Sequence, residues 1–260
     1  MVSTIRAPLF VPANRPERFA KAAGSEADAV ILDLEDAVAP EAKDAARAAL
    51  SVSFTDKPVL VRINAWGTPW HAQDVAAVKA LAPAAVVLPK SEDPSVLADL
   101  AGQGLPVVAL IESARGLAQA RAIAAVAGVV RLAFGSIDFC ADLGCEHLRE
   151  VLLPVRSELV LASRLAGIAA PIDGVTVQLD DPAVTRDDTR HTRALGMTGK
   201  LCIHPKQIAE VLATFSPTEA EIAWATRVLA SGDGAVSVDG AMVDEPVRIR
   251  ARAILAQVGR

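Results

Sequence analysis

Short runs of Val, Ile and Leu alternate along the chain with longer, alanine-rich amphipathic stretches. The apolar runs at 9–13, 29–34, 59–64, 85–89, 107–111, 129–134, 174–179 and 200–204 predict eight strands. The stretches at 16–23, 40–50, 71–82, 94–101, 114–126, 152–166, 182–195 and 205–214 predict the helices between them. Several open on proline near the first turn, behind Asp caps such as Asp93-Pro94 and Asp181-Pro182. Runs that are apolar nearly throughout indicate a sheet buried on both faces, as parallel sheets are. Eight βα units in series predict an α/β fold, a (β/α)8 TIM barrel. An open doubly wound sheet is the alternative, because periodicity does not register closure.

Beyond the eighth helix, 217–230 predicts a further amphipathic helix, which Ser231-Gly232-Asp233-Gly234 breaks. The piece 235–242 is irregular or strand-like, and Asp244-Glu245-Pro246 leads into a last helix ending near Gln257. The expected organisation is a barrel domain over 1–228 and a short C-terminal helical extension over 229–260, packing on the barrel or on an adjacent subunit.

At 260 residues and 52% hydrophobic content the chain can bury a sizeable core. A net charge of only −5, with dispersed basic residues, sets aside nucleic acid as a partner. Residues 1–6 lack the apolar core of a signal peptide and no uncharged apolar run is long enough for a bilayer, so no membrane partner and a cytoplasmic location are expected. Cys140, Cys145 and Cys202 form no CxxC pair, which argues against a disulfide framework and a structural zinc site. A Cys140/Cys145/His147 metal cluster is conceivable, but its spacing favours ordinary thiols.

Chemistry enters at the strand ends. Glu112 follows the run 107–111 and Asp138 the run 129–134, with a crossover helix between. Neighbouring parallel strands lie about 4.8 Å apart, so these carboxylates could share Mg²⁺, which keeps several waters and takes one or two protein carboxylates. Helix capping, with Ser113 opening the next helix, is the alternative role for Glu112. The other strand ends contribute Asn14 and Arg15; Asp33, Glu35 and Asp36; Arg62 and Asn64; Lys90; Gln178; and His204-Pro205. Acids sharing a dry rim repel unless a metal or Arg62 and Lys90 balance them. Arg62 can offer its planar fork to a carboxylate or an enolate-like oxygen, or merely pair with Glu35 or Asp36. Lys90 could form a Schiff base, but among so many acids it reads as a protonated counter-charge. His71, His147 and His191 are expected at the surface, whereas His204 could line the site. Gly102-Gln103-Gly104 and Gly232-Asp233-Gly234 read as turns, and neither a phosphate-binding glycine loop nor a nucleophile elbow is present.

Seven ordered motifs resemble the citrate lyase β-subunit-like family of the HpcH/HpaI aldolase superfamily, which includes malyl-CoA and citramalyl-CoA lyases. They are Phe10-Val11-Pro12-Ala13-Asn14-Arg15, Asp33-Leu34-Glu35-Asp36, Val61-Arg62-Ile63-Asn64, Leu88-Pro89-Lys90, Glu112-Ser113-Ala114-Arg115-Gly116, Gly135-Ser136-Ile137-Asp138 and Cys202-Ile203-His204-Pro205. The resemblance implies a homotrimeric TIM barrel that reversibly cleaves a β-hydroxyacyl-CoA to a 2-oxo acid and acetyl-CoA. It implies Mg²⁺ on Glu112 and Asp138, with its waters on Glu35 and Asp36, and the oxo acid on Arg62. Asn14, Arg15 and Lys21 fall where the CoA arm is expected. Gly240-Ala241-Met242-Val243-Asp244 is similar to the family's C-terminal motif, which makes Asp244 the acid/base supplied by an adjacent subunit. The segment 139–151, beside the site in such proteins, is shorter than in some members, which leaves the choice of oxo acid open. A β subunit working with citrate lyase α and acyl-carrier subunits, and a non-catalytic barrel binding CoA or oxo acids, are the alternatives.

Overall fold

The apolar runs pair side by side because each strand buries both its faces, one set of alternate residues turned into the barrel and the other toward the helices. In the computed structural model, which describes residues 2–232 and 234–258, eight parallel strands lie in sequence order. They are β1 (Pro8–Pro12), β2 (Ala29–Asp33), β3 (Val59–Arg62), β4 (Ala85–Leu88), β5 (Val107–Ile111), β6 (Val129–Phe134), β7 (Ala169–Asp173) and β8 (Gly199–Lys200). The amide of Phe10 donates to Cys202 O at 2.9 Å and that of Lys200 to Arg6 O at 2.8 Å, returning the last strand to the first. These bonds close a (β/α)8 TIM barrel and exclude the open sheet.

Ile31, Leu60, Val87, Leu110, Ala133 and Ile172 belong to one buried cluster, each a strand residue of the same inward parity. Arg131 shares that parity with Ala133 and sits fully buried near the N-terminal mouth. Its guanidinium donates to Ile5 O (2.6 Å), Val2 O (3.1 Å), Ala170 O (2.7 Å) and Thr198 Oγ1 (2.9 Å). Burial lowers its pKa to about 10, so it stays charged at neutral pH and ties the segment before β1 to β6 and β7.

Four elements depart from the expected pattern, one of them the eighth strand, which is Gly199–Lys200 rather than 200–204. The seventh strand is Ala169–Asp173 rather than 174–179, and Val177, 58% exposed, lies in the loop beyond it. The shift is explained by Asp173, whose buried carboxylate takes Arg156 Nε at 2.8 Å, Lys200 Nζ at 3.2 Å and the Thr192 hydroxyl at the strand end. The helix expected over 114–126 is two pieces, Ala114–Ala118 and Ala120–Ala124, meeting at Gln119. An unexpected helix, Ser136–Leu143, fills the segment after β6, so Asp138 stands in a helical first turn.

The chain divides into two compact units, Met1–Leu212 and Ala213–Arg260. In the second, helix Glu219–Ala230 starts at a capping box between Thr218 and Glu221, and a hairpin of β9 (Val236–Val238) and β10 (Ala241–Val243) leads to helix Glu245–Leu255. Ala225, Val228, Val243, Ala251 and Ile254 form its core. Asp233, part of the expected turn, lies outside the described residues. No helix among the described residues is long and apolar enough to cross a membrane.

Candidate active site

Asp33 and Arg62 are register partners on β2 and β3, and both carry the inward parity, so their side chains meet above the barrel core. Arg62 Nε and Nη2 each donate to an Asp33 carboxylate oxygen at 2.7 Å, a bidentate fork, while its guanidinium lies 4.9 Å from the centroid of Phe10. Burial pulls the Arg62 pKa down, and the bonds and charge of Asp33, with Glu35 and Asp36, more than reverse this, leaving it raised. Asp33 also accepts the amides of Glu35 (2.9 Å) and Ala37 (3.2 Å), folding the chain back just past β2. The residue-level alternative for Arg62, pairing with Glu35 or Asp36, thus misses its principal partner. Those two stand at 3.1 Å and 3.6 Å from Nη1.

Glu35 is buried, its Oε1 accepting from Lys90 Nζ at 2.9 Å. Oε2 is near Arg62 Nη1 but off the hydrogen-bonding direction, and it is left without a donor. Burial raises the Glu35 pKa against the pull of Arg62 and Lys90. Lys90 is held at φ +45°, a left-handed conformation uncommon for a side chain of this size. This turn aims its amide at Glu112 Oε1 (2.8 Å) while its ammonium reaches Glu35. Burial lowers the Lys90 pKa, and its bond to Glu35 and the charges of Glu35, Glu112 and Asp36 carry it above the ordinary value, so the Schiff-base role does not fit.

Glu112, the residue that follows β5, is only 3% exposed. Its carboxyl is pushed up to about 8, first by burial, then by Glu35 and Asp138, with only the Lys90 amide and the Lys90 charge opposing. The carboxylate rests on Gly135, where a Cβ would fall 2.3 Å from Oε2. Helix capping is not its role, since Ser113 caps the following helix through Gly116 N. With every group ionised, Asp33, Glu35, Asp36, Glu112 and Asp138 thus confront Arg62, Lys90 and the buried Lys43, a shortfall of two positive charges. The two carboxylates Glu112 and Asp138 suit a divalent cation that keeps several waters, and the orphan Glu35 oxygen is open to accept from such a water. Among the described residues no three His, Cys, Asp or Glu side chains cluster as a full cage, which such an ion does not require.

Lys43 and Asp74, absent from the expected site, lie beneath Glu35 together with Asn64, one of the expected strand-end residues. Lys43 Nζ donates to Leu34 O, Glu35 O and Asn64 Oδ1, each at 2.7 Å, and Asn64 Nδ2 donates to Asp74 Oδ2 at 2.6 Å. The one signal for Lys43 was its place three residues before Ala46, on the helix face that turns inward.

The histidines correct the surface expectation. His71 is buried, with Nδ1 donating to Asn64 O at 2.8 Å, and His147 is half-buried, hydrogen-bonded through Nε2 to Ser136 Oγ at 2.9 Å. Half-buried His191 has a buried Nε2. Ser136 is itself buried, so the pair is unsuited to a nucleophile's role. His204 accepts from Lys206 N at 3.1 Å and caps the short helix Pro205–Gln207, while Pro205 is exposed. Exposed Asn14 and Arg15 follow β1, Arg15 paired with Glu17 at 2.6 Å, and Lys21 is exposed on helix Phe19–Ala23. Asp244 lies in the second unit, where its carboxylate caps helix Glu245–Leu255 by accepting from Val247 N. A cavity of about 630 Å³ opens beside Lys90, with Trp66, Glu92, Pro94, Arg115 and Gln119 in its wall.

Comparison with known proteins places this geometry in context. The model of the HpcH/HpaI aldolase/citrate lyase family matches residues 6–205. The citrate lyase subunit beta-like protein of Mycobacterium tuberculosis (strain CDC 1551 / Oshkosh) is 41% identical over 262 residues, covering 96% of this chain and 94% of the relative. The (3S)-malyl-CoA thioesterase of Cereibacter sphaeroides (strain ATCC 17029 / ATH 2.4.9) is 33% identical over 269 residues, covering 97% and 94%. The crystal structure of CitE from Mycobacterium tuberculosis in complex with magnesium, acetoacetate and coenzyme A aligns over 100% of both chains at 39% identity, with a TM-score of 0.90. The family match takes in Asp33, Glu35, Arg62, Lys90, Glu112 and Asp138 alike, and the chain belongs to the HpcH/HpaI aldolase/citrate lyase family.

Proposed function

We propose that this chain is a Mg²⁺-dependent carbon-carbon lyase cleaving a β-hydroxyacyl-CoA of the citryl, malyl or citramalyl type to a 2-oxo acid and acetyl-CoA. The observation that carries the reading is the charge shortfall centred on Glu112, a buried carboxyl pushed up to about 8 in a rim of five acids and three cations. Glu112 and Asp138 would hold the ion, and Glu35 and Asp36 would accept from its waters. When bound, Mg²⁺ supplies Lewis-acid polarisation of the oxo-acid keto oxygen. The relative's complex with magnesium, acetoacetate and coenzyme A supports both ligand classes.

Arg62, anchored along one edge by Asp33, turns its Nη1 side to the oxo-acid carboxylate. The fixed guanidinium and the Lys90 ammonium offset charge without having to reorganise. In cleavage the substrate hydroxyl gives its proton to solvent water and becomes the keto group, and the carbon-carbon electron pair passes to the thioester as an enolate. Protonation of that carbon then gives acetyl-CoA. Asp244, once released from its capping bond, is the proton donor in this reading, provided by an adjacent subunit of a homotrimer on which the C-terminal segment packs. Asn14, Arg15, Lys21, Lys90, His204 and Pro205 border the path of the CoA arm.

The thioesterase relative favours a second reading, in which water cleaves the same class of thioester and leaves the carbon skeleton whole. Incubating the purified chain and Mg²⁺ with citryl-, malyl- and citramalyl-CoA, and separating the products, decides between them. Acetyl-CoA with equimolar 2-oxo acid is expected. Free CoA with an intact hydroxy acid establishes hydrolysis instead. Turnover of a carrier-protein thioester alone would overturn the stand-alone enzyme in favour of a complex subunit.

A further inference from the structure

Lys43 is 5% exposed at the start of helix Lys43–Ala48, where an unpaired ammonium would be costly. Its three N–H groups have three acceptors, Leu34 O, Glu35 O and Asn64 Oδ1, all at 2.7 Å, so its donor capacity is fully committed. The ring of Trp70 covers it, with the nitrogen 5.1 Å from the centroid. Two of the acceptors are consecutive carbonyls, which fixes the peptide that sets the direction of Glu35. From the other side, the Glu35 amide is held by Asp33 Oδ1 at 2.9 Å. The third acceptor, Asn64, is clamped by its own amide and side chain to Asp74 Oδ2 at 2.9 Å and 2.6 Å, and Asp74 Oδ1 by Arg47 at 2.7 Å. Lys43 Nζ therefore joins the loop after β2 to the end of β3, beside the direct bonds of Asn64 Nδ2 to Leu34 O at 3.0 Å and Leu34 N to Arg62 O at 2.9 Å, and it alone of these reaches the Glu35 carbonyl.

We infer that Lys43 is a positioning residue for the cation site, acting through the Leu34 and Glu35 carbonyls and Asn64 to hold the Glu35 carboxylate where it accepts from the ion's waters. The inference rests on the proposed Mg²⁺ site. Neither the planar fork of arginine nor an apolar side chain of lysine's length reproduces three tetrahedral bonds. Groups that orient a metal's surroundings without touching it typically contribute about 10–100-fold to affinity.

The test is Mg²⁺ titration calorimetry on the full chain, with thermal melts in parallel. Lys43→Met should bind Mg²⁺ about 10–100-fold more weakly than the parent. Lys57→Met is the structural control, because Lys57 also ties down a backbone carbonyl, Ser25 O at 2.6 Å, but close to the segment that enters β3. It should lower the melting temperature and leave Mg²⁺ affinity unchanged. If Lys43→Met does not fold, Lys43→Gln, which keeps two donors, is titrated in its place with a loss in the same direction expected. A folded Lys43 variant binding Mg²⁺ within twofold of a Mg²⁺-binding parent overturns the positioning role. A parent that binds no Mg²⁺ overturns the proposed site and this inference with it.

Discussion

Replacing Gly135 by alanine tests the cation site without touching a charged group. Gly135 has φ −90° and ψ 74°, outside the left-handed region, so its backbone does not demand glycine. The demand comes from Glu112: an added Cβ would lie 2.3 Å from Oε2 and 2.5 Å from Glu112 Cβ, where ordinary contacts are 3.4–4 Å. Rotating the carboxylate relieves the first contact but not the second, because Glu112 Cβ is fixed by its own backbone. The ends of β5 and β6 must therefore part, or the side chain must move by about 1 Å, and overpacking of this kind costs about 1–3 kcal/mol. If that cost falls on the cation-binding conformation, at about 1.4 kcal/mol per factor of ten, Mg²⁺ affinity drops roughly 5–150-fold. The assay is calorimetric Mg²⁺ titration of Gly135→Ala beside Gly102→Ala, where a Cβ meets nothing within 4 Å. Gly102→Ala should titrate like the parent. A folded Gly135→Ala with parental affinity would refute the placement of the ion on Glu112.

Two further perturbations probe other parts of the barrel. Without a divalent cation, Glu112 takes up its proton at about 8 in the folded chain against an ordinary value of 4.5. The native state then holds the extra proton, so stability falls as pH rises from about 4.5 to about 8, by at most about 1.4 kcal/mol per pH unit. Urea midpoints in chelator should show this decline and Glu112→Gln should reduce it, whereas saturating Mg²⁺ should flatten it; a chelator series independent of Glu112 would count against the burial argument. At the opposite mouth, Arg131→Met leaves Ile5 O without the guanidinium and removes the shorter of the bonds to Val2 O and Ala170 O, which keep Ile5 N and Thr198 Oγ1 at 3.4 Å. A loss of about 2–4 kcal/mol in unfolding free energy is expected, with Mg²⁺ affinity intact, and an unchanged melting temperature would show that Arg131 is not the clamp described here.

The barrel was legible where burial is two-sided. The runs at 107–111 and 129–134 became β5 and β6 without a residue's change because every position in them is apolar or clamped. It was not legible at β7, where Ala169-Ala170-Pro171 looks weaker than the more apolar Val175-Thr176-Val177. The decision there rests on Asp173 reaching Arg156 and Lys200, 17 and 27 residues away in the chain. The site followed the same division. Glu112 stood out because a carboxylate ends an apolar strand, whereas Lys43 hides in the polar stretch Pro40-Glu41-Ala42-Lys43-Asp44, and its side-chain acceptor Asn64 is 21 residues on. The Asp33–Arg62 fork depends on strand register, which periodicity alone does not specify.

That fork also bears on the two readings of Arg62. A guanidinium serving only to neutralise acids could pair with any of the three nearby, yet both donors of one edge go to Asp33, the carboxylate that the Glu35 and Ala37 amides already fix. Asp33 thereby sets the orientation of Arg62, and the remaining edge faces the rim. Glu35 has Lys90 as its own counter-ion, at 2.9 Å. For Glu112 the nearest donor is a backbone amide that carries no net charge, while Asp138 adds to its burden instead of relieving it. Without a cation it is held neutral up to about pH 8, since protein interiors tolerate a carboxylate this deep only when it is paired or protonated, and its ionised form calls for a positive partner. A rim that matches Asp33 and Glu35 with cations of its own, and leaves the Glu112 end to one amide, is arranged for positive charge that arrives from solution.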